Sequence, residues 1–327
     1  MRTSVLIQTL KDLVNIRRPV YITSAPGAGK TSVAQQVAES MGMHYEHIHT
    51  PNCLIEDFGV PDMGSQAETF SYKLPERWKI DPALPTMVCL DDRGQCGQDI
   101  QKIIANVIDA RELHGHKFPA DVAFVSTGNR MEDRAGANRV LSHLADRETE
   151  LEFDVNLDDW CKWAIENGVH PSIISFLRFR PGLLHDFDPQ RPKNPTPRSW
   201  VKGVSAILDV VSPEAEYDCF KGAVGEGAAA EFTGFRKIER ALPNIDNLLL
   251  HPDSGEVPTD PATLYAISGA IAHRADNGNF SRVITYCDRM PAEFGVLTVS
   301  YATRKDPTLA STQAFTTWAV ANSDILF

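Results

Sequence analysis

Residues 24–31 read Ser24-Ala25-Pro26-Gly27-Ala28-Gly29-Lys30-Thr31, and the rest of the chain can be placed around this stretch. The residues before it, 19–23, are rich in β-branched and aromatic side chains and predict a buried strand. The residues after it, 32–40, predict a helix that Gly42 can end. The sequence therefore predicts a strand, a glycine-rich loop and a helix in direct succession.

The glycine-rich loop has the features of a loop that binds phosphate. Gly27 and Gly29 allow backbone conformations closed to other residues, so successive N–H groups can turn toward one anion. The start of the following helix adds partial positive charge at the same place. On this interpretation Lys30 reaches the terminal phosphates of a nucleotide, and the Thr31 hydroxyl holds Mg²⁺. The residues expected to contact the nucleotide are Ala25, Pro26, Gly27, Ala28, Gly29, Lys30, Thr31 and Ser32.

One position departs from the usual phosphate-loop pattern. The pattern G-x-x-x-x-G-K-[ST] has glycine where this chain has Ser24. Because the remainder of the loop is intact, we interpret residues 24–31 as a nucleotide site. The alternative is a chance glycine turn before a helix.

A second pattern is the apolar run at residues 86–90, which ends in the two carboxylates Asp91 and Asp92. It is typical of a buried parallel strand that delivers acidic side chains to its carboxyl end, where such sheets bind ligands. We expect Asp91 to hold Mg²⁺, directly or through water, and Asp92 to orient the water that attacks the γ-phosphate. Residues 121–127 predict another buried strand, after which the amide of Asn129 can position the same water.

Two loops precede the later strands, and the first of them has two interpretations. The stretch Phe70-Ser71-Tyr72-Lys73-Leu74-Pro75 combines aromatic rings with a lysine, and it is either an element that grips a partner or a packed loop. Residues 111–119 predict a hairpin around Gly115, after a helix at residues 98–110.

Three histidines, His44, His47 and His49, lie in a predicted strand at residues 44–50 and raise the question of a metal site. In a strand, His47 and His49 share one face and His44 points away. No cysteine or carboxylate follows at ligand spacing, so the sequence disfavours metal binding here.

The composition is typical of a globular protein that works inside the cell. The 327 residues are 43% hydrophobic and 23% charged, and the length suggests two or three domains. No apolar run approaches the ~20 residues that span a membrane, and the N-terminal residues do not read as a signal peptide, so we expect a cytoplasmic location. A net charge of −11 argues against a protein that wraps around the outside of DNA, but it does not exclude a small basic pore in an assembly.

The N-terminal residues predict a helix with one apolar face. The residues expected on that face are Val5, Leu6, Leu10, Leu13 and Val14.

After Val155 the pattern becomes helical. A proline-rich loop at residues 181–197 is expected to reach back toward the nucleotide before Arg198 opens the next helix. The chain beyond a linker at residues 251–255 shows no chemistry, and we interpret it as a packing or docking element with Trp318 and Phe327 as anchors. The helices predicted are 157–167, 171–180, 215–224, 227–242, 261–275, 280–290, 291–303 and 309–322.

The phosphate loop, the strand that ends at Asp91 and Asp92, and the later Val125-Ser126-Thr127-Gly128-Asn129-Arg130 resemble, in that order, an AAA+ ATPase, and specifically the MoxR group with its short bacterial and phage members. The resemblance implies an α/β P-loop core with a parallel sheet, a helical lid and, here, a helical C-terminal extension. The bounds expected are 1–155 for the core, 156–245 for the lid and 246–327 for the extension.

The resemblance also implies roles for single residues. Asn129 matches the first sensor, and Arg198 resembles the second sensor, an arginine of the lid that contacts the γ-phosphate. Arg147 resembles the arginine finger that acts on the ATP of a neighbouring subunit. Arg134 and Arg139 lie in the same segment and are rival fingers. The hairpin at residues 111–119 resembles one that lines the pore of the ring.

We therefore expect an ATP-hydrolysing ring, a hexamer by resemblance, that binds Mg²⁺ and ATP between subunits and remodels a partner protein. MoxR-like proteins typically act with a protein that carries a von Willebrand A domain. The family usually has glutamate at the position of Asp92. Because aspartate is shorter, one alternative function is a nucleotide-sensing scaffold that hydrolyses ATP slowly or not at all. A second alternative is a nucleic-acid motor with a pore lined by Lys73, Arg111 and Lys117.

Overall fold

The computed structural model describes residues 1–64, 69–133 and 142–323, except for the side chains of Ser142 and His143. The chain divides into two compact units, Met1–Val155 and Asn156–Phe327. The second unit contains both the predicted lid and the predicted extension, and their division at residue 245 stays a prediction. Among the described residues, no helix combines the length and the apolar character needed to cross a membrane.

The first unit alternates strands with helices, and the second is helical. The strands are β1 (Val20–Ser24), β2 (His44–His49), β3 (Val60–Asp62), β4 (Ser71–Lys73), β5 (Thr86–Asp91), β6 (Glu112–Leu113), β7 (His116–Lys117), β8 (Val122–Asn129) and β9 (Thr149–Glu152). The helices of the first unit are α1 (Thr3–Asn15), α2 (Lys30–Ser40), α3 (Gln98–Ala110) and α4 (Ser142–Ala145). Those of the second are α5 (Leu157–Glu166), α6 (Pro171–Phe179), α7 (Ser205–Ile207), α8 (Glu216–Val224), α9 (Glu226–Arg240), α10 (Ile245–Leu250), α11 (Pro261–Arg274), α12 (Phe280–Cys287), α13 (Ala292–Lys305) and α14 (Gln313–Ala321), with a π-helix at Ser199–Val204 and a 3₁₀ helix at Pro307–Ser311.

The strand that leads into the glycine-rich loop lies inside a five-stranded sheet. The strand order is β2-β5-β8-β1-β9, and every neighbouring pair is parallel. The register aligns the carboxyl ends, because Ser24 of β1 lies opposite Asn129 of β8 and His49 of β2 lies opposite Asp91 of β5. The predicted α/β core with a parallel sheet, followed by helices, is confirmed.

Alternate residues of the central strands face two separate hydrophobic clusters, as expected for a sheet buried on both faces. Met87 and Cys89 of β5 pack in the cluster that includes α1 and α2, whereas Val88 and Leu90 pack in the cluster that includes α3. On α1 the fully buried residues recur every four positions, at Leu6, Leu10 and Val14. The prediction that Val5 belongs to the same face is wrong, because Val5 is 49% exposed and the buried stripe is narrower than the sequence suggested.

A charged pair lies buried at the end of β5, immediately after the two carboxylates. The side chains of Arg93 and Glu148 are 1% and 2% exposed, and their nearest nitrogen and oxygen lie 2.8 Å apart. The guanidinium of Arg93 also stacks on the ring of Tyr21, 3.9 Å from its centroid, and the Ser126 hydroxyl donates to Glu148 over 2.8 Å. The pair therefore ties the turn after β5 to β1, β8 and the segment before β9.

Removing one member of this buried pair should destabilise the fold strongly. Arg93→Met should lower the free energy of unfolding by about 3–5 kcal/mol, because it leaves the Glu148 carboxylate buried without its counter-charge. Urea unfolding measures the loss. Lys102→Met is the matched control on an exposed lysine and should change stability by less than about 0.5 kcal/mol. A loss below about 1 kcal/mol for Arg93→Met would show that Glu148 does not depend on this partner.

The aromatic and lysine-containing stretch at residues 70–75 packs against its surroundings. Tyr72 of β4 stacks on His114, with ring centroids 3.8 Å apart, and Lys73 pairs with Asp62 of β3 over 2.9 Å. Gly59 permits this approach, since it has φ 148° and an added Cβ would lie 2.8 Å from His114 Cδ2. These contacts favour a packed loop over an element that grips a partner. The predicted hairpin around Gly115 is confirmed as β6 and β7.

The second unit has a core of aromatic rings. Their centroids lie between 5.0 and 5.6 Å apart, and the rings belong to Phe176, Trp200, Phe220, Phe232 and Phe235. Trp200 comes from the π-helix, and its indole N–H donates to the Leu183 carbonyl over 2.7 Å. This anchors the stretch that follows Arg198 to the loop before it.

Two predictions for the second unit need correction. Helix α10 was not predicted, because its six residues stand next to a stretch that reads as a linker. The single helix predicted at 309–322 is wrong, since Thr312 is extended at φ −77° and ψ 149° and its hydroxyl accepts from the Phe315 amide, which starts a new helix. Trp318 of that helix is buried, at 5% exposure, and Phe327 lies outside the described residues.

Candidate nucleotide-binding site

The loop between β1 and α2 has the backbone that its glycines predict. Gly27 has φ 76° and Gly29 has φ 105°, both in the left-handed region that favours glycine. Gly29 stands directly before α2, which begins at Lys30. The amide groups of the first helical turn therefore face the end of the loop, which is the arrangement that binds anions at a helix start.

Lys30 is a buried cation at the carboxyl end of the sheet. It is 7% exposed, and its Nζ lies 2.8 Å from the side-chain oxygen of Asn129 and 3.2 and 3.3 Å from the carbonyl oxygens of Ser24 and Ala25. The Ser24 hydroxyl lies 3.4 Å from the same nitrogen. Serine at this departure from the pattern thus contributes an oxygen beside Lys30. The structure brings Lys30 of the phosphate loop and Asn129 of β8 into direct contact.

Asp91 is held on both of its carboxylate oxygens. Oδ1 accepts hydrogen bonds from the Thr31 and Thr127 hydroxyls, each over 2.6 Å. Oδ2 lies 3.1 Å from His47 Nε2 and 3.6 Å from His49 Nδ1. Burial raises the pKa of Asp91, but the hydrogen bonds from Thr127, Thr31 and His47 outweigh it, so the net pKa is below its usual value. Asp91 is therefore an ionised carboxylate in neutral solution.

Asp92 adopts a left-handed backbone conformation with φ 51°. Aspartate tolerates this region better than most residues, which is a local reason for Asp rather than a longer carboxylate here. Its amide donates to Thr127 Oγ1 over 3.1 Å, and the same hydroxyl donates to Asp91. Thr127 thus fixes the relative positions of the two carboxylate residues.

Gly128 allows the Tyr21 side chain to pack closely against the backbone of β8. A Cβ added to Gly128 would lie 2.0 Å from the Tyr21 hydroxyl oxygen. Burial raises the pKa of Tyr21 to about 12, so the phenol is neutral near pH 7. The close approach explains why glycine precedes the amide at the end of β8.

Two of the four predicted arginines, Arg147 and Arg198, lie among the described residues. Arg147 follows α4, and its Nε lies 2.8 Å from Asp109 Oδ2 of α3. Arg198 belongs to the second unit, where it is exposed and directly precedes the π-helix. Arg134 and Arg139 lie outside the described residues.

Sequence reasoning missed three contacts of the Asp91 carboxylate. The sequence predicts Thr127 only as part of a strand, and it disfavours His47 and His49 as metal ligands because no carboxylate follows them in the chain. The carboxylate comes instead from the neighbouring strand, since β2 and β5 pair in parallel with His49 opposite Asp91. The alternation of strand residues, which puts His47 and His49 on one face, was the available signal.

The residues present suit the Mg²⁺ that the resemblance implies. The Thr31 hydroxyl and the Asp91 carboxylate are hard oxygen donors only 2.6 Å apart, and an ionised carboxylate with a hydroxyl beside it is the kind of pair that Mg²⁺ prefers. Thr31 and Asp91 would hold the ion, and Lys30 and the loop amides would hold the phosphates.

The glycine loop, the contact between Thr31 and Asp91, and the parallel sheet together define an α/β core with a phosphate loop. No protein-family model and no curated protein matches the chain. Among solved structures, it is similar to a variant of RuvB from Thermotoga maritima, with 13% identity, a TM-score of 0.39 and coverage of 82% of this chain and 79% of that one. It is also similar to NtrX from Brucella abortus, with 15% identity, a TM-score of 0.42 and coverage of 96% and 67%.

Proposed function

We propose that this chain is an ATP-hydrolysing AAA+ enzyme. The observation that carries the proposal is the convergence of Lys30, Thr31, Asp91 and Asn129 at the carboxyl ends of β1, β5 and β8, with direct contacts of 2.6 Å between Thr31 and Asp91 and 2.8 Å between Lys30 and Asn129. These residues come from separate parts of the chain, so a chance glycine turn does not account for their meeting. ATP is the substrate that the motif resemblance supports.

Each residue has a physical task in such a reaction. The loop amides at residues 25–32 bind the phosphates, and Lys30 moves its charge from the loop carbonyls to the phosphate oxygens. Asp92 accepts a hydrogen bond from the attacking water, and Asn129 orients it. Mg²⁺, when bound, supplies charge that offsets the phosphate oxygens. Positioning and charge stabilisation account for most catalysis of this kind.

We further propose that the chain works as a MoxR-like ring, hexameric by resemblance, that remodels a separately encoded partner protein such as one with a von Willebrand A domain. Head-to-tail contacts that close by rotation form rings, and they place one subunit's arginine at the ATP of the next. In this proposal Arg147 is that arginine and Arg198 is the second sensor of the lid.

Asp92 gives the experiment that separates hydrolysis from nucleotide binding. Asp92→Asn should retain ATP binding but lower turnover by about 10²–10⁴-fold, because the amide cannot take up the developing proton. Asparagine also tolerates the left-handed backbone at this position, so the change is chemical rather than conformational. Phosphate release and equilibrium binding of a fluorescent ATP analogue measure the two properties.

Two further variants complete this test. Asp99→Asn, on an exposed carboxylate that pairs with Lys102, is the matched control and should behave as wild type. Asp92→Glu restores the length usual in the family and tests whether the short side chain limits the rate. Unchanged turnover in Asp92→Asn would reject a role for this carboxylate in the reaction. A wild-type protein that binds ATP and releases no phosphate would favour the nucleotide-sensing scaffold.

The alternative of a nucleic-acid motor has less support. Lys73 pairs with Asp62, and the Arg111 guanidinium donates to the carbonyls of Pro119, Ala120 and Val122, where it closes the β6–β7 hairpin. Two of the three basic side chains expected to line a pore therefore have local structural partners.

A further inference from the structure

The ends of β2 and β5 bring a histidine into a group with two carboxylates. His49 lies opposite Asp91 in the parallel register, and its Nδ1 is 3.6 Å from Asp91 Oδ2. Asp92 follows directly, and one ligand atom each from His49, Asp91 and Asp92 lies within 4.8 Å of the others. One imidazole nitrogen and two carboxylate oxygens thus converge on one small volume.

The spacing of His49 and Asp91 fits two ligands of one metal ion. A first-row transition metal binds nitrogen and oxygen ligands at about 2.0–2.2 Å, which places neighbouring tetrahedral ligands about 3.4 Å apart. The separation of 3.6 Å between His49 and Asp91 is close to that value and is longer than a direct hydrogen bond.

Neighbouring side chains also hold the Asp91 carboxylate in place, as a metal ligand requires. Oδ1 of Asp91 is fixed by the Thr31 and Thr127 hydroxyls, and His47 Nε2 lies 3.1 Å from Oδ2. Such neighbours orient a ligating carboxylate and strengthen metal binding. The His49 side chain is 40% exposed, so an ion can reach it from solvent.

We propose that His49, Asp91 and Asp92 form a binding site for a divalent first-row transition metal ion. The imidazole nitrogen selects this class, because Mg²⁺ prefers oxygen ligands whereas zinc, cobalt and their neighbours bind imidazole readily. Binding requires no nucleotide, so the inference goes beyond ATP hydrolysis. Because Asp91 also contacts Thr31, binding of the transition metal and binding of the Mg²⁺–nucleotide complex would affect each other through this carboxylate.

Cobalt is the probe that tests this site. Co²⁺ titrated into the nucleotide-free protein should produce visible absorption bands and bind about one equivalent per chain. His49→Ala should weaken Co²⁺ binding by about 10–100-fold, and Asp92→Asn should weaken it as well. His44→Ala is the matched control, because His44 lies at the other end of β2 near Glu46 and should leave the titration unchanged.

Circular dichroism establishes that each variant is folded before its titration is interpreted. Equal Co²⁺ binding by wild type and His49→Ala, or no binding by folded wild type, would overturn the proposed site and leave His49 as an ion-pair partner of Asp91. The same proteins are then tested for binding of a fluorescent ATP analogue with Mg²⁺. If folded wild type binds the nucleotide but not Co²⁺, the metal proposal alone fails. If it binds Co²⁺ in a His49-dependent way but not the nucleotide, the proposed function alone fails.

Discussion

Lys30→Ala should reduce ATP turnover by on the order of 10³-fold, because it removes the only charged donor that the phosphate loop contributes to the transferring phosphate. The Lys30 ammonium lies at the carboxyl end of β1 and contacts Ser24, Ala25 and Asn129. Nucleotide binding should weaken as well, since the lysine also pairs with the phosphates of bound ATP. Phosphate release and binding of a fluorescent ATP analogue measure both losses.

The buried position of Lys30 requires a stability control. Removing its ammonium leaves the Asn129 amide oxygen without a 2.8 Å hydrogen bond, which costs about 1–3 kcal/mol. Thermal unfolding therefore accompanies the rate measurement. Lys102→Ala, on an exposed lysine of α3, should leave stability and turnover as in wild type. Wild-type hydrolysis by folded Lys30→Ala would remove the basis of the nucleotide site.

The loop and the strand that carries Asp91 were predictable because their signals are local. Glycine is favoured where the backbone takes positive φ, as it does at residues 27 and 29. The apolar run at 86–90 marks a strand buried on both faces. Such patterns require no knowledge of which strands become neighbours. The sequence predicts that Thr31 and Asp91 each hold Mg²⁺, and the structure places the two side chains in contact.

The remaining contacts depend on pairing that one sequence does not reveal. His49 meets Asp91 only because β2 and β5 pair in parallel and in this register. Arg93 and Glu148 are distant in the chain, and a charged residue is exposed by default, so their burial could not be read from composition. The prediction of short elements such as α10 fails for another reason. Six residues show too little periodicity to distinguish a helix from a linker.

Arg147→Ala should bind ATP and hydrolyse it about 10³–10⁵-fold more slowly, if Arg147 is the finger that acts on the neighbouring subunit. In the single chain its guanidinium pairs with Asp109 over 2.8 Å, and the two side chains are 32% and 56% exposed. A pair this exposed contributes only about 0–1 kcal/mol to stability, so losing the pair with Asp109 costs little when the guanidinium binds a neighbour's γ-phosphate. The planar guanidinium can then bridge the oxygens on which negative charge spreads in the transition state.

Mixing two inactive variants tests whether this arginine acts between subunits. Lys30→Ala carries an intact Arg147, and Arg147→Ala carries an intact phosphate loop, so mixed rings should regain part of the activity at the interfaces that combine the two. Subunit exchange is measured separately by energy transfer between labelled chains. Asp109→Asn is the matched control, since it removes the partner of Arg147 and keeps the arginine, and it should retain turnover. Exchange without recovered activity would exclude Arg147 as the finger and direct the same experiment to Arg139 and then Arg134.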